Sequence, residues 1–78
     1  MNRIKMREMA DNQAGVISAI KVAGELGRRI RDMGLIPGTE VKIKGRAPLY
    51  DPIVLQVKKY ILALRNSEAE HIMVDVDE

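Results

Sequence analysis

The sequence has 78 residues, of which 46% are hydrophobic and 31% are charged. A chain this short buries only about 60% of the surface that its unfolded form exposes, which predicts one small domain without a deep substrate cavity. The lack of cysteine excludes disulfides, thiolate chemistry and cysteine-ligated metal sites. The net charge is only +2, and Tyr50 and Tyr60 are the only aromatic residues. Both facts argue against nucleic-acid binding, which needs many phosphate contacts and stacking platforms.

The first half of the chain predicts a strand and then a short helix. Residues 1–9 have a loose apolar pattern typical of a short extended lead-in, and residues 11–15 have the composition of a turn. Residues 16–22 are rich in β-branched side chains and predict a strand. In residues 25–33 the apolar positions recur at helical spacing, so this segment predicts a helix between two strands.

Glycine and proline mark the end of that helix. Gly34 follows directly, where helices commonly end on a left-handed residue, and Pro37 prevents the helix from resuming. With Gly38, these residues are predicted to form a structural turn. Inside the helix, Gly27 costs about 1 kcal/mol relative to alanine, unless it serves to let a neighbouring backbone approach closely.

The second half alternates between apolar and polar residues. Residues 39–46, 53–57 and 60–65 each place apolar side chains on one face, as does the segment that starts near Ile72, so four strands are predicted. Between the last two, residues 66–70 predict a capped helical turn with Asn66 or Ser67 as the cap.

About five short strands and one short helix predict a mainly β fold. A small closed barrel is favoured because closure hides strand edges that would otherwise template aggregation. We expect an SH3-like barrel, with an OB-like barrel as the alternative. No apolar run resembles a signal peptide or is long enough to span a membrane.

Three separated segments carry a resemblance to a known family. They are Gly34-Leu35-Ile36-Pro37-Gly38-Thr39, the stretch from Arg46 through Pro48 and Asp51 to Ile53, and Leu64-Arg65-Asn66-Ser67-Glu68-Ala69. In this order and spacing the chain resembles the FeoA family, small cytosolic accessory proteins of bacterial ferrous-iron uptake. The resemblance runs from about Met6 to Val76. Two positions depart from the family pattern, since Tyr50 stands where the family usually has glycine and Gly27 where it often has arginine.

The resemblance implies both a fold and a partner. Residues 1–78 are expected to form a single FeoA-like SH3-like barrel domain in the cytoplasm. The implied partner is FeoB, a large membrane transporter with a cytosolic GTP-binding domain. The resemblance therefore implies a non-enzymatic accessory protein that binds the cytosolic part of this transporter.

No group of residues predicts catalysis or a tight metal site. Neither Ser18 nor Ser67 lies in a Gly-x-Ser-x-Gly elbow, and no phosphate-binding or dinucleotide motif is present. His71 is the only histidine, and with Glu68, Glu70 or Asp75 it is a weak candidate for a ferrous-iron ligand. One outward histidine among scattered carboxylates is more commonly a neutral surface residue, so neither a metal nor a cofactor is expected.

The loop of residues 47–53 is the first candidate for the partner surface. Two prolines restrict its conformations, and Leu49 and Tyr50 at its tip suit a small hydrophobic anchor, with Asp51 beside them. The alternative is that Leu49 folds back to plug the end of the barrel. The helix face that carries Arg28 and Arg31 is the next candidate.

Two other functions stay open from the sequence. Similar domains occur in iron-dependent transcription regulators, which makes a metal-responsive regulatory barrel the first alternative. A basic nucleic-acid-binding barrel is the second, if the helix arginines merge with the basic residues of the strands into one patch. The residues that would form this patch are Arg28, Arg29, Arg31, Lys42, Lys44, Arg46, Lys58 and Lys59.

Overall fold

The computed structural model describes residues 2–46 and 51–77, in which six strands form one antiparallel sheet. The strands are β1 (Asn2–Lys5), β2 (Ala14–Ile20), β3 (Glu40–Arg46), β4 (Ile53–Val57), β5 (Tyr60–Leu64) and β6 (Ile72–Val76). The helices are α1 (Gly24–Asp32) and the short α2 (Asn66–Ala69), with a 3₁₀ turn at Met6–Glu8. In these residues no helix is long and apolar enough to cross a membrane. The mainly β expectation is confirmed.

The sheet has the order β1-β6-β2-β3-β4-β5 and curves around a single core. The pairing register shifts between Ile17 and Ala19 in β2 and between Ile43 and Gly45 in β3. Each shift inserts one extra residue, and such bulges increase strand twist and bend the sheet. Buried side chains from β2 to β6 therefore meet those of α1 and the 3₁₀ turn in one cluster.

The structure differs from the sequence expectations at three places. The N-terminal lead-in is a sixth strand, since β1 pairs with β6 from Asn2 opposite Val76 to Lys5 opposite Met73. Strand β2 begins and ends two residues earlier than predicted. The predicted cap of α2 was wrong because the N-cap is Arg65, whose backbone N–H donates to Glu68 Oε1 at 3.0 Å.

Helix α1 ends in a Schellman turn. The N–H of Gly34 donates to the carbonyl of Arg31 at 2.9 Å, and the N–H of Leu35 donates to Ile30 at 3.4 Å. Gly34 has a φ of 90°, the left-handed conformation predicted from the sequence. Ile30 and Leu35 are both fully buried, which supplies the apolar contact that accompanies this motif.

The end of α1 is also linked to β5. The hydroxyl of Tyr60 donates to the carbonyl of Met33 at 2.9 Å. A Cβ atom on Gly34 would collide with this hydroxyl. Glycine is therefore required at position 34 both for its backbone conformation and for the space beside Tyr60.

Gly27 provides a close approach within the same helix. A Cβ atom there would collide with the carbonyl oxygen of Val22, in the segment that leads into α1. The helix therefore accepts a residue of low helix propensity because only glycine lets the two backbones pack together.

Arg46 turns inward and fastens the N-terminal region to β3. Its Nη2 donates to the carbonyls of Arg7 at 2.9 Å and Met9 at 2.8 Å, and its Nη1 lies 3.2 Å from Asp11 Oδ1. The side chain is only 11% exposed. A charged donor that satisfies two carbonyls locks the 3₁₀ turn against the barrel and is not free for a partner.

Ion pairs attach β1 and the 3₁₀ turn to the opposite end of the chain. Arg3 binds Asp75 through two nitrogens, at 2.8 and 3.2 Å, and the hydrogen bonds from Arg3 hold the pKa of Asp75 below its usual range. Lys5 and Arg7 both contact Glu70, and their hydrogen bonds lower the pKa of Glu70. The hydrogen bonds to β1 and the 3₁₀ turn therefore favour the ionised form of both carboxylates.

Gly34→Val is expected to lower the free energy of unfolding by more than about 2 kcal/mol. The left-handed backbone alone costs a β-branched residue about 1–2 kcal/mol, and the side chain must also displace Tyr60. Gly38→Val is the matched control, since Gly38 has a φ of 94° and open space around a Cβ atom. Chemical denaturation of both variants checks this prediction, and equal losses would show that the contact with Tyr60 imposes no constraint.

Arg46→Met is expected to destabilise the protein by about 2 kcal/mol, because it leaves the carbonyls of Arg7 and Met9 without their charged donor. Lys44→Met, at an exposed position of the same strand, controls for loss of a positive charge. Urea denaturation measures both. A loss for Arg46→Met no larger than that for Lys44→Met would contradict the structural role of Arg46.

Candidate partner-binding groove

An open groove crosses the outer face of the sheet where β6, β2 and β3 lie side by side. One wall is the segment from Ile36 to Gly38, which leads from the Schellman turn into β3. The N–H of Gly38 donates to the carbonyl of Ile17 at 2.8 Å, and the N–H of Ile17 donates to Thr39 at 2.9 Å. These two bonds fasten the segment to β2 and fix the shape of the groove.

Exposed apolar side chains lie at the centre of the groove. Val16 on β2 is 38% exposed and Ile36 is 47% exposed, and Pro37 lines the groove beside them. Within the described residues, only Tyr60 and Ile61 are comparable as exposed large hydrophobic side chains. Two of these four thus meet in one groove, which gives a partner an apolar contact on a rigid strand and a proline-restricted segment.

Charged residues of both signs line the groove. On the β6 side lie Asp75 and Asp77, and Val16 pairs across the strands with Asp75 and with Glu40. On the β4 side lie Lys42 and Lys58, neither of which forms an ion pair with a described residue. Asp75 is already paired with Arg3, and Glu40 lies two residues from Lys42 on β3, so acidic and basic residues are interspersed along the groove.

The composition of the groove suits binding. The described lining residues include no histidine and no cysteine, and the hydroxyl of Thr39 donates to the carbonyl of Gly34 at 3.4 Å. What the groove offers is an apolar centre with charged sides, the general composition of a protein-binding surface.

The first predicted partner residues, Leu49 and Tyr50, lie outside the described residues. Asp51, next in the same loop, is exposed, and its Oδ1 accepts a hydrogen bond from the N–H of Asn66 at 2.8 Å. The carboxylate thus holds the start of α2.

The helix arginines lie away from the groove. Arg28 and Arg31 are both exposed on α1, and Arg28 lies 3.7 Å from Glu25. Of the predicted turn residues, Pro37 and Gly38 do line the groove, whereas Gly34 ends the helix.

Two of the basic residues considered for a nucleic-acid patch form contacts within the protein. Arg46 is turned inward, and Arg29 Nη2 lies 2.9 Å from Glu68 Oε2, whose carboxylate is buried. This ion pair compensates the buried charge although its angle is outside the range of a hydrogen bond. Two of the eight residues considered for a nucleic-acid patch are thus used within the fold.

His71 lies just before β6 and is half-buried. Its backbone accepts a hydrogen bond from Lys21 and donates one to Glu68. In residues 2–46 and 51–77, no three or more histidine, cysteine or acidic residues are close enough to hold a metal ion together. Glu68, a suggested co-ligand, is already engaged by Arg29 and by the Arg65 backbone.

Val16 and Ile36, the exposed apolar residues of the groove, are not among the candidates predicted from the sequence. A signal was present for Ile36, which follows Leu35 in a turn between Gly34 and Pro37 and belongs to no strand face. No signal was present for Val16, because a β-branched residue in a predicted strand is as often buried as exposed.

The family model of the FeoA domain matches residues 4–76. One curated relative is the Fe(2+) transport protein A/Fe(2+) transporter FeoB fusion protein of Porphyromonas gingivalis, 27% identical over 73 residues. That match covers 94% of this chain but only 9% of the length of the fusion protein.

Solved structures agree with this match. The FeoA-like protein of Clostridium acetobutylicum is 38% identical, with a TM-score of 0.90 over 97% of this chain and 88% of that one. The FeoA of Stenotrophomonas maltophilia, solved with zinc, is 28% identical, with a TM-score of 0.81 over 92% of this chain and 89% of that one. It is described as a procaryotic SH3 domain protein, in agreement with the expected SH3-like fold.

A regulator shares the fold alone. The IdeR of T. acidophilum matches 99% of this chain with 35% of its own, at a TM-score of 0.85 but only 23% identity. The family match, in contrast, spans nearly the whole sequence and includes the three segments that suggested it. This chain therefore belongs to the FeoA family.

Proposed function

We propose that this protein is a non-enzymatic, cytoplasmic accessory protein of ferrous-iron uptake. In this proposal it binds the cytosolic, GTP-binding part of a FeoB-type transporter and carries no iron itself. The observation that carries the proposal is the fused relative, in which a domain similar to this chain is joined to a FeoB transporter in one polypeptide. Covalent joining holds two modules at high effective concentration, which is useful when they act on each other.

The structure of the groove supports binding of the transporter through an apolar contact. Val16 and Ile36 offer an apolar contact, and the segment of Ile36 is held to β2 by two backbone hydrogen bonds. Because this wall is already ordered, docking costs little conformational entropy. We therefore place the transporter contact at the groove, with Lys42 and Lys58 orienting the partner through its acidic residues.

The alternative of a metal-responsive regulatory barrel has weaker support. The likeness to IdeR is one of fold, and that chain is much longer than this one. The described residues also hold no cluster of metal-binding side chains. Two experiments distinguish a protein that binds a transporter from a protein that binds a metal.

Ile36→Ser and Val16→Ser are expected to weaken binding to the purified cytosolic domain of the cognate FeoB by about tenfold each, because each removes an apolar contact. Isothermal titration calorimetry with GDP and with a non-hydrolysable GTP analogue measures the dissociation constants. The melting temperature should stay nearly unchanged, since both side chains are already partly exposed.

Lys21→Ser is the control, at an exposed position outside the groove. Arg28→Ser, Leu49→Ala and Tyr50→Ala belong in the same series, because the helix face and the 47–53 loop stay predictions. Full binding by both groove variants would reject the groove as the contact. Loss of binding in Arg28→Ser or Tyr50→Ala would then identify the surface.

Anaerobic titration of ferrous iron into the pure protein is expected to give no stoichiometric binding in the micromolar range. The physical reason is that His71 has no convergent carboxylate partners among the described residues. A micromolar site that disappears in His71→Ala would contradict this prediction and favour an iron-responsive regulator.

A further inference from the structure

Strand β5 (Tyr60–Leu64) forms one edge of the sheet and differs from the other edge, β1. In the order β1-β6-β2-β3-β4-β5, the outer side of β5 pairs with no strand of the described chain. Proteins commonly protect such edges with charged residues, above all lysine. Strand β1 carries Arg3 and Lys5, whereas β5 reads Tyr-Ile-Leu-Ala-Leu and contains no charge.

The backbone of β5 offers hydrogen-bonding groups at this edge. Lys58 and Lys59 form a two-residue turn in which Lys58 has a φ of 56°, and Val57 pairs with Tyr60. In such a hairpin the pair next to the turn is hydrogen-bonded, and the following pair is not. The N–H and C=O groups of Ile61 and Ala63 therefore point away from β4.

Side chains next to these groups are also apolar and exposed. Ile61 is 60% exposed, the highest fraction among the large hydrophobic residues described, and Ala63 on the same face is exposed too. Tyr60, at the start of the strand, is fixed to the end of α1 by the hydrogen bond of its hydroxyl to Met33. The edge is thus apolar and held in place before any partner binds.

Charges at the two ends of β5 indicate what covers it. Lys58 and Lys59 precede the strand and Arg65 follows it, and none of the three forms an ion pair with a described residue. Pairing of two copies, antiparallel and centred on Leu62, would set Lys59 against Arg65 of the other copy. Because like charges directly opposite each other are destabilising, a second copy is disfavoured.

We propose that β5 is a second interaction surface, which accepts an extended strand from a different protein by β-addition. The partner strand has apolar or β-branched residues at alternate positions, to cover Ile61 and Ala63, and acidic residues at its ends, to meet Lys58, Lys59 and Arg65. The surface shares Lys58 with the groove but consists otherwise of β5 and its flanking residues, and the proposal does not rest on binding to FeoB.

The probe is a short synthetic peptide, acetylated and amidated, with a Val-Thr-Val-Thr-Val centre and two glutamates at each end. Titration into the ¹⁵N-labelled full chain, followed by amide hydrogen exchange, reports on individual strands. We expect slower exchange of the Ile61 and Ala63 amides as the peptide pairs with them, and no change for amides of β1.

Two modified peptides test the chemistry of the proposal. A peptide with alternate backbone nitrogens methylated keeps its side chains but cannot form the ladder, and we expect it not to bind. A peptide with lysines in place of the glutamates is expected to bind at least tenfold more weakly in low salt. Equal binding by the methylated peptide would overturn the β-addition.

Matched variants locate the peptide on the protein. Ile61→Thr keeps a β-branched residue at an exposed position and is expected to weaken peptide binding about tenfold without changing the fold. Ile36→Thr makes the same change in the groove, and weaker binding there would place the peptide in the groove and overturn the proposal. Sedimentation that shows a dimer abolished by Ile61→Thr would overturn it as well, in favour of a second copy.

These outcomes are distinguishable from failure of the proposed function. Binding of the peptide to β5 does not depend on FeoB, and the groove variants do not alter β5. If FeoB does not bind but the peptide slows amide exchange at Ile61, β-addition at β5 is supported and binding to the transporter is rejected.

Discussion

The Schellman turn at the end of α1 is the constraint on which the two surfaces depend. Gly34 takes a left-handed conformation that few other residues tolerate, and Leu35 follows it into the core against Ile30. With Leu35 inside, the chain leaves Ile36 outside, next to Val16 on β2. The Tyr60 hydroxyl bound to Met33 connects the same turn to β5. One tight turn thereby forms a wall of the groove and also fixes the start of the edge strand.

Some positively charged residues form contacts within the protein, whereas others have no ion-pair partner among the described residues. Arg46 satisfies carbonyls of the N-terminal region, and Arg29 compensates the buried carboxylate of Glu68. Arg3 holds β1 against β6 through Asp75. Lysines of the groove and of the β4–β5 turn have no ion-pair partner among the described residues. The unpaired lysines around the groove and at the edge of β5 are therefore available to a partner.

Two surface features of the described residues are suited to binding a partner. The described residues provide an open groove with exposed apolar side chains and charged residues of both signs, and an edge strand without charge. Both features are typical of recognition, in agreement with an accessory role proposed for a member of the FeoA family.

The sequence by itself determined the order and type of most elements. Alternation in residues 39–46 and 53–57 requires a half-buried strand, and the helical spacing of Leu26, Ile30 and Met33 requires a helix, because each pattern has only one periodicity that buries its apolar face. Gly34 after that helix predicted the left-handed end, and three motifs in order indicated the family. All of these signals are local, so they can be read without knowing what packs against them.

Only the tertiary structure decided which residues are exposed and which charges are free. Val16 and Ile17 are both β-branched, yet the pairing of β2 with β3 and β6 buries the second and exposes the first. The sequence suggests that Arg46 is a surface charge. In the structure, its side chain donates to the carbonyls of Arg7 and Met9. From the sequence, Gly27 is expected to lower the stability of the helix. In the structure, the backbone of Val22 lies against it and leaves no room for a Cβ atom. In each case the deciding contact comes from another segment of the chain, and no local pattern records such a contact.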